Sequence, residues 1–267
     1  MATVTPMMQQ YLDIKEQYKD CILFFRLGDF YEMFFNDAEV ASRELEITLT
    51  GKDCGLEERA PMCGVPYHSA ESYISKLINK GYKVAICEQV EDPALAKGLV
   101  KREVIRVITP GTVIESSMLD EKKNNYLISI YKFKHYFSLA IVDISTGEFL
   151  STQITWGNTV NKLTDELAKF SPSEVIVNSE FMEDESLIAN IRKRFHFYMS
   201  KFDDSNFEYS FAANKIKKKF GQCEILKMDY SLSVNAAGAL LEYLEQTQKV
   251  NLDHIQSLNV FTLLNFI

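Results

Sequence analysis

The chain has 267 residues, 46% hydrophobic and 25% charged, an ordinary globular composition with length enough for two domains. It holds no apolar run that could span a bilayer and lacks the basic, then apolar start of a signal peptide, so a cytoplasmic location is expected and no membrane. Net charge is −8, and residues 1–115 carry 13 Lys and Arg against 18 Asp and Glu, which excludes a broad basic surface; any nucleic-acid contact must be local and shape-dependent.

Thr5-Pro6 reads as a helix start, a capping hydroxyl before a proline at the first helical position, and the helix runs to about Tyr18. Ile22-Leu23-Phe24-Phe25 is a buried strand broken by Gly28-Asp29. Asn36-Asp37-Ala38-Glu39 has capping-box spacing and opens a helix toward Leu45. A charged, Gly-rich loop follows from Gly51 to Arg59. Ser69 is placed to cap a third helix, with Tyr73, Ile74, Leu77 and Ile78 as its stripe and Gly81 as its stop. Tyr82 to Cys87 and Val104 to Ile108 are strands. Helices alternating with apolar strands give a mixed-sheet α/β domain over 1–115.

Residues 116–125 read as a linker, ending in Asp120-Glu121-Lys122-Lys123-Asn124-Asn125. Three strand-like runs follow, Tyr126–Tyr131, His135–Ile144 and Glu148–Ile154, the last two joined by a turn at Ser145-Thr146-Gly147. Helices then return, with Val160, Leu163 and Leu167 on one stripe and Ala237, Leu240, Leu241 and Leu244 on another; Val175-Ile176-Val177 is a short buried strand. Three antiparallel strands followed by alternating helices and strands resemble the ribonuclease H-like order over 126–247. Residues 248–267 are too apolar for a tail and are expected to begin a further, core domain.

Five cysteines, at 21, 54, 63, 87 and 223, include no Cys-x-x-Cys pair, and the four histidines are scattered. Reduced, mostly buried thiols and no zinc site are expected.

Several linked segments carry a family resemblance. Thr5-Pro6-Met7-Met8-Gln9-Gln10-Tyr11 and Phe25-Arg26-Leu27-Gly28-Asp29-Phe30-Tyr31-Glu32-Met33-Phe34 are followed by Ala60-Pro61-Met62-Cys63-Gly64-Val65-Pro66-Tyr67-His68, Val84-Ala85-Ile86-Cys87-Glu88-Gln89, Asp92-Pro93 and Thr109-Pro110-Gly111-Thr112. Their order and spacing resemble the N-terminal part of bacterial MutS-type DNA mismatch-recognition proteins. Val142-Asp143-Ile144-Ser145-Thr146-Gly147-Glu148-Phe149 extends the match more loosely. The resemblance implies a mismatch-binding domain, a connector domain and the first residues of a core domain.

It also implies roles. Phe30 and Glu32 match the family's Phe-x-Glu motif, and Arg102 matches a basic residue beside DNA. Lys52 and Met62 fall at loop positions near the duplex, and Lys101 stands beside Arg102. Mismatched double-stranded DNA is the implied ligand, a MutL-type protein the implied partner of the connector, and a homodimer the implied state of the full-length family. ATP and Mg²⁺ belong to an ATPase domain whose phosphate loop is not found here: Gly51-Lys52 is followed by Asp53 and lacks the upstream glycine spacing. No cofactor and no catalysis are expected of this chain itself.

The chemistry suits those roles. Mismatches share weak stacking and easy bending, so an apolar wedge from the minor groove unstacks a defective step at lower cost, and the deformation energy becomes the signal. Phe30 is flat, rigid and able to stack on any base; Gly28 before it lets the backbone come close. Glu32, a carboxylate among phosphates, serves discrimination more than affinity. Lys97, Lys101, Arg102 and Arg106 make the best local basic cluster for holding the backbone.

By residue type alone, an aromatic after a strand is core, Glu32 a solvated acid and Lys97–Arg106 a solvated face. Tyr31, Phe34 and Phe35 are expected in the core, and Met7 and Met8 in helix packing. Two other readings stand beside the first. One is a ribonuclease H-like nuclease centred on Asp143, for which Glu148, Asp165 and Glu166 offer no shared focus. The other is a partner-binding scaffold without DNA contact, which the negative charge favours.

Overall fold

The computed structural model describes residues 4–91, 98–115, 117–119, 123–226, 231–249 and 252–263. The chain divides into two compact units: Met1–Pro110 with Thr247–Lys249, and Gly111–Gln246 with Val250–Ile267.

The first unit runs α1 (Pro6–Gln17), β1 (Cys21–Leu27), β2 (Phe30–Phe34), α2 (Phe35–Leu45), β3 (Thr50–Lys52), β4 (Ala60–Pro66), α3 (Ala70–Asn79), β5 (Lys83–Gln89) and β6 (Arg102–Ile108). Its sheet has the order β3-β4-β2-β1-β5-β6, with β1 and β5 parallel and every other pair antiparallel. The first five residues of β1 are all buried, because both faces of this central strand are covered. On one face α1 sets Met8 and Tyr11 against Leu23, Phe25, Phe34 and Ala85. On the other, Cys63 Sγ reaches the Ala38 carbonyl of α2 at 3.5 Å.

Two expected caps differ. Asn36 to Glu39 form no capping box; Asp37 turns inward instead, accepting from Leu23 N at 2.9 Å and Tyr11 OH at 3.1 Å, with Lys15 Nζ 2.8 Å away. A buried carboxylate needs these partners more than the helix needs a cap. Ser69 lies in a short 3₁₀ turn, and its hydroxyl donates to Pro66 O at 3.3 Å. Thr5 does cap α1, accepting from Met8 N at 3.4 Å. Part of the expected 51–59 loop is strand, since Thr50–Lys52 pair with β4.

The second unit runs β7 (Tyr126–Phe133), β8 (Tyr136–Asp143), β9 (Glu148–Ile154), α4 (Thr159–Phe170), β10 (Glu174–Val177), α5 (Ser179–Met182), α6 (Glu185–Arg194), β11 (Tyr198–Lys201), α7 (Tyr209–Phe220), α8 (Ser231–Gln248) and β12 (Asn259–Val260). The sheet order β11-β10-β7-β8-β9-β12 has an antiparallel β7-β8-β9 meander, with β10 and β11 added in parallel. That is the ribonuclease H-like order. Alternation splits the core in two: Leu127, Ala140 and Val142 face α7 and α8, whereas Ile128, Leu139 and Ile141 face α4 and α6. Val160 is exposed, so the buried stripe of α4 is Leu163, Leu167 and Phe170 rather than the expected one.

Gly111, inside the expected 1–115 stretch, belongs to the second unit, where its N donates to Glu174 Oε2 at 2.9 Å. Leu252, Ile255 and Leu258 join that unit's core and β12 pairs with β9, so residues 252–263 pack with this unit. Burying that apolar stretch against a ready core outweighs leaving it in water.

No disulfide joins the five cysteines; Cys21, Cys54, Cys63 and Cys87 are buried and Cys223 is half-exposed. Burial pushes the thiols of Cys21, Cys63 and Cys87 up to about 12. At pH 8 the native protein should react with Ellman's reagent at Cys223 alone, and the other four should appear only on unfolding. Rapid native labelling of a second thiol would contradict this packing.

Candidate nucleic-acid interface

β1 and β2 form a two-residue hairpin, with Leu27 opposite Phe30. Gly28 takes φ +58° at the first turn position, the pattern of a type II′ turn, and a Cβ there would find open space. Backbone conformation, not crowding, requires glycine. Phe30 opens β2 at the hairpin tip and is 46% exposed. Twelve large apolar side chains are exposed among the described residues, so exposure alone does not single it out. Its position does: it stands on a turn held from both sides.

Arg26 Nε donates to Gly28 O at 2.5 Å, and Tyr67 N donates to Asp29 O at 2.9 Å. The Arg26 guanidinium lies 3.6 Å from the Tyr67 ring centroid and 3.2 Å from Glu88 Oε1, which also accepts from Tyr31 OH. Arg26, Tyr67 and Glu88 therefore brace the tip. Sequence reasoning singled out none of them. Tyr67 comes near only because β2–β4 register sets Phe30 opposite Pro66, and no local signal reveals that.

Strand alternation places Phe30 and Glu32 on one face and Tyr31 and Met33 on the other. Glu32 is not a free surface acid. Lys52 Nζ stands 2.5 Å from Glu32 Oε2, and the two side chains are 32% and 16% exposed. The same ammonium is 5.7 Å from the Phe34 ring. Met62, opposite Phe34 and Thr50, packs half-buried on the core. Phe30, Glu32, Lys52 and Met62 are thus gathered on one sheet face. Tyr31 and Phe34 are buried and Phe35 is half-buried, as expected; Met8 is fully buried.

Among the described residues of the expected basic cluster, Lys101, Arg102 and Arg106 do not form an exposed patch. Arg102 is 7% exposed; it donates to Arg26 O at 2.7 Å, Gln10 Oε1 at 3.0 Å and Val100 O at 2.9 Å, and lies 5.0 Å from the Phe25 ring. Pleating turns it inward with Val104, and its guanidinium ties α1 to the sheet. Lys101 is exposed but stands 2.6 Å from Glu103 Oε1. Arg106 is half-buried, and Lys97 lies outside the described residues. Arg26, Lys52 and Lys101 each have a carboxylate partner, so local charge near the tip is largely balanced.

In the second unit Asp143 is buried, and its Oδ1 accepts from Ser145 N at 2.9 Å and Ser145 Oγ at 2.6 Å, closing the hairpin turn. Glu148 accepts from Tyr126 OH at 2.9 Å, and Glu174 from Tyr243 OH at 2.6 Å. No group of three potential metal ligands occurs among the described residues. Gly51 and Lys52 lie in a strand with Lys52 committed to Glu32, so this segment does not fit a nucleotide-phosphate loop. No described helix is long and apolar enough to cross a membrane.

The chain thus joins a mixed-sheet α/β unit that projects a braced aromatic from a hairpin to a ribonuclease H-like α/β unit. The profile for MutS domain I matches residues 5–117, and that for MutS domain II matches residues 125–256. The chain belongs to the MutS family. It is 71% identical over 261 residues to the DNA mismatch repair protein MutS of Acetivibrio thermocellus and 65% identical over 263 residues to that of Ruminiclostridium cellulolyticum. Each alignment covers 98% of this chain and 30% of the relative, so the chain spans under a third of their length.

Proposed function

We propose that this chain supplies the mismatch probe and connector of a longer, ATP-dependent DNA mismatch repair protein, with Phe30 as wedge and Glu32 as discriminator. The observation that carries this is an apolar ring, 46% exposed, held at a braced hairpin tip on the same face as Glu32. An exposed Phe forgoes part of the roughly 1.5–3 kcal/mol that its burial contributes. Insertion between bases recovers it, and the rigid turn limits the ordering cost. Balanced charge near the tip suits a probe that reads deformability and leaves phosphate grip to other parts of the protein.

The second unit serves as a scaffold for a MutL-type partner; the support is family membership and carboxylates spent on turns and tyrosines instead of a metal focus. ATP, Mg²⁺ and homodimerisation are assigned to parts of the relatives beyond these two domains.

The test is binding of full-length protein to a G·T duplex, a one-nucleotide insertion duplex and perfect duplex. Glu32→Gln should bind perfect duplex about three- to tenfold more tightly, by removing a charge repelled by phosphate, and should lose contrast. Weaker binding of that variant to both duplex classes would sink the discriminator role.

A further inference from the structure

We infer that Lys52 is a specificity-determining residue: it is the counter-ion that Glu32 gives up when the carboxylate turns to a displaced base. This rests on the probe reading above and adds a step to it. Lys52 sits on β3 and Glu32 on β2, with β4 between them. Lys52 stands opposite Ala60 of β4 and its ammonium reaches diagonally past the Phe34 ring to Glu32, which stands opposite Gly64, where a Cβ would come within 3.5 Å of Glu32 Cγ. The resulting pair is 2.5 Å apart and half-buried, so it is screened less than a surface pair.

The pair changes the electrostatics of probing. On perfect duplex, Glu32 stays with Lys52 and the phosphates meet a nearly neutral pair. At a mismatch the carboxylate accepts from the exposed base edge, and the released ammonium moves to a phosphate. Discrimination then depends on an exchange of partners, not on a bare carboxylate. Loss of Lys52 would leave Glu32 charged and unpaired against every duplex. It would also free Glu32 of a partner that has to be broken at a mismatch.

The experiment is a double-mutant cycle in the full-length protein with Lys52→Met, Glu32→Gln and the double variant, measuring Kd on perfect and one-nucleotide insertion duplexes. Lys52→Met should weaken perfect-duplex binding more than mismatch binding, raising their ratio about threefold or more. In the Glu32→Gln background, Lys52→Met should weaken both duplexes by one common factor, the loss of a single phosphate contact. Lys52→Arg, which keeps the charge, should stay close to the parent ratio and guards against a folding artefact. A common factor on both duplexes while Glu32 is present, or equal effects of Met and Arg, overturns the inference. Undiminished discrimination by Phe30→Ala would instead overturn the probe reading itself, so the two failures are distinguishable.

Discussion

Phe30→Ala in the full-length protein is expected to lose about 10- to 100-fold in affinity for mismatched duplex while perfect-duplex affinity changes less than about threefold, leaving almost no contrast. Base–aromatic stacking is worth about 1–3 kcal/mol by alanine substitution, and tenfold corresponds to about 1.4 kcal/mol. The effect should be confined to the mismatch because only there is the step weak enough to open at acceptable cost. Stability should hold or rise slightly, since the ring is 46% exposed and supports little of the core. A titration by fluorescence anisotropy on both duplexes checks it. Retained contrast would end the wedge assignment, whereas equal loss on both duplexes would make Phe30 a general contact.

The second large effect is on stability. Gly238 lies in α8, and a Cβ built on it would stand 2.3 Å from both Cα and Cβ of Ala212 in α7 and 2.8 Å from the Ala212 carbonyl. Those are backbone-level clashes that no rotamer relieves. Gly→Ala inside a helix ordinarily stabilises by about 0.5–1 kcal/mol. Overpacking costs about 1–3 kcal/mol or more, so the clash wins and α7 must move off α8. Gly238→Ala should lower the melting temperature of the second unit by about 4–8 °C in calorimetry, and Gly238→Val should lower it further. Ala212→Gly in the same chain should restore part of the loss. An unchanged transition in Gly238→Ala would mean that the two helices do not approach so closely.

The folding of the second unit also bears on how the site works. Its carboxylates resemble catalytic candidates when read along the chain, since Asp143 and Glu148 flank one turn. In space Asp143 Oδ1 is taken by Ser145 and Glu148 by Tyr126, while Asp143 Oδ2 is buried with no hydrogen-bond partner among the described residues. Buried or half-buried acids find nearby donors because an unpaired one is costly.

Much was determined along the chain itself. Apolar runs and period-3.6 stripes point to strands at 22–25, 82–87 and within 126–154, to a helix from Pro6 to about Tyr18 and to a late helix carrying Ala237, Leu240, Leu241 and Leu244, because burial is a local demand. The Phe-x-Glu spacing put Phe30 and Glu32 on one face, since strand side chains alternate. The partners of those side chains were not local. Lys52 meets Glu32 only through β3-β4-β2 order, and Tyr67 braces the turn only through β2–β4 register. Arg102 is withdrawn inward by the pleat of β6, and residues 252–263 find a core at β9 that no nearby residue announces. Burial patterns are written in consecutive residues. Ion pairs and braces depend on which strands become neighbours, and tertiary packing alone decides that.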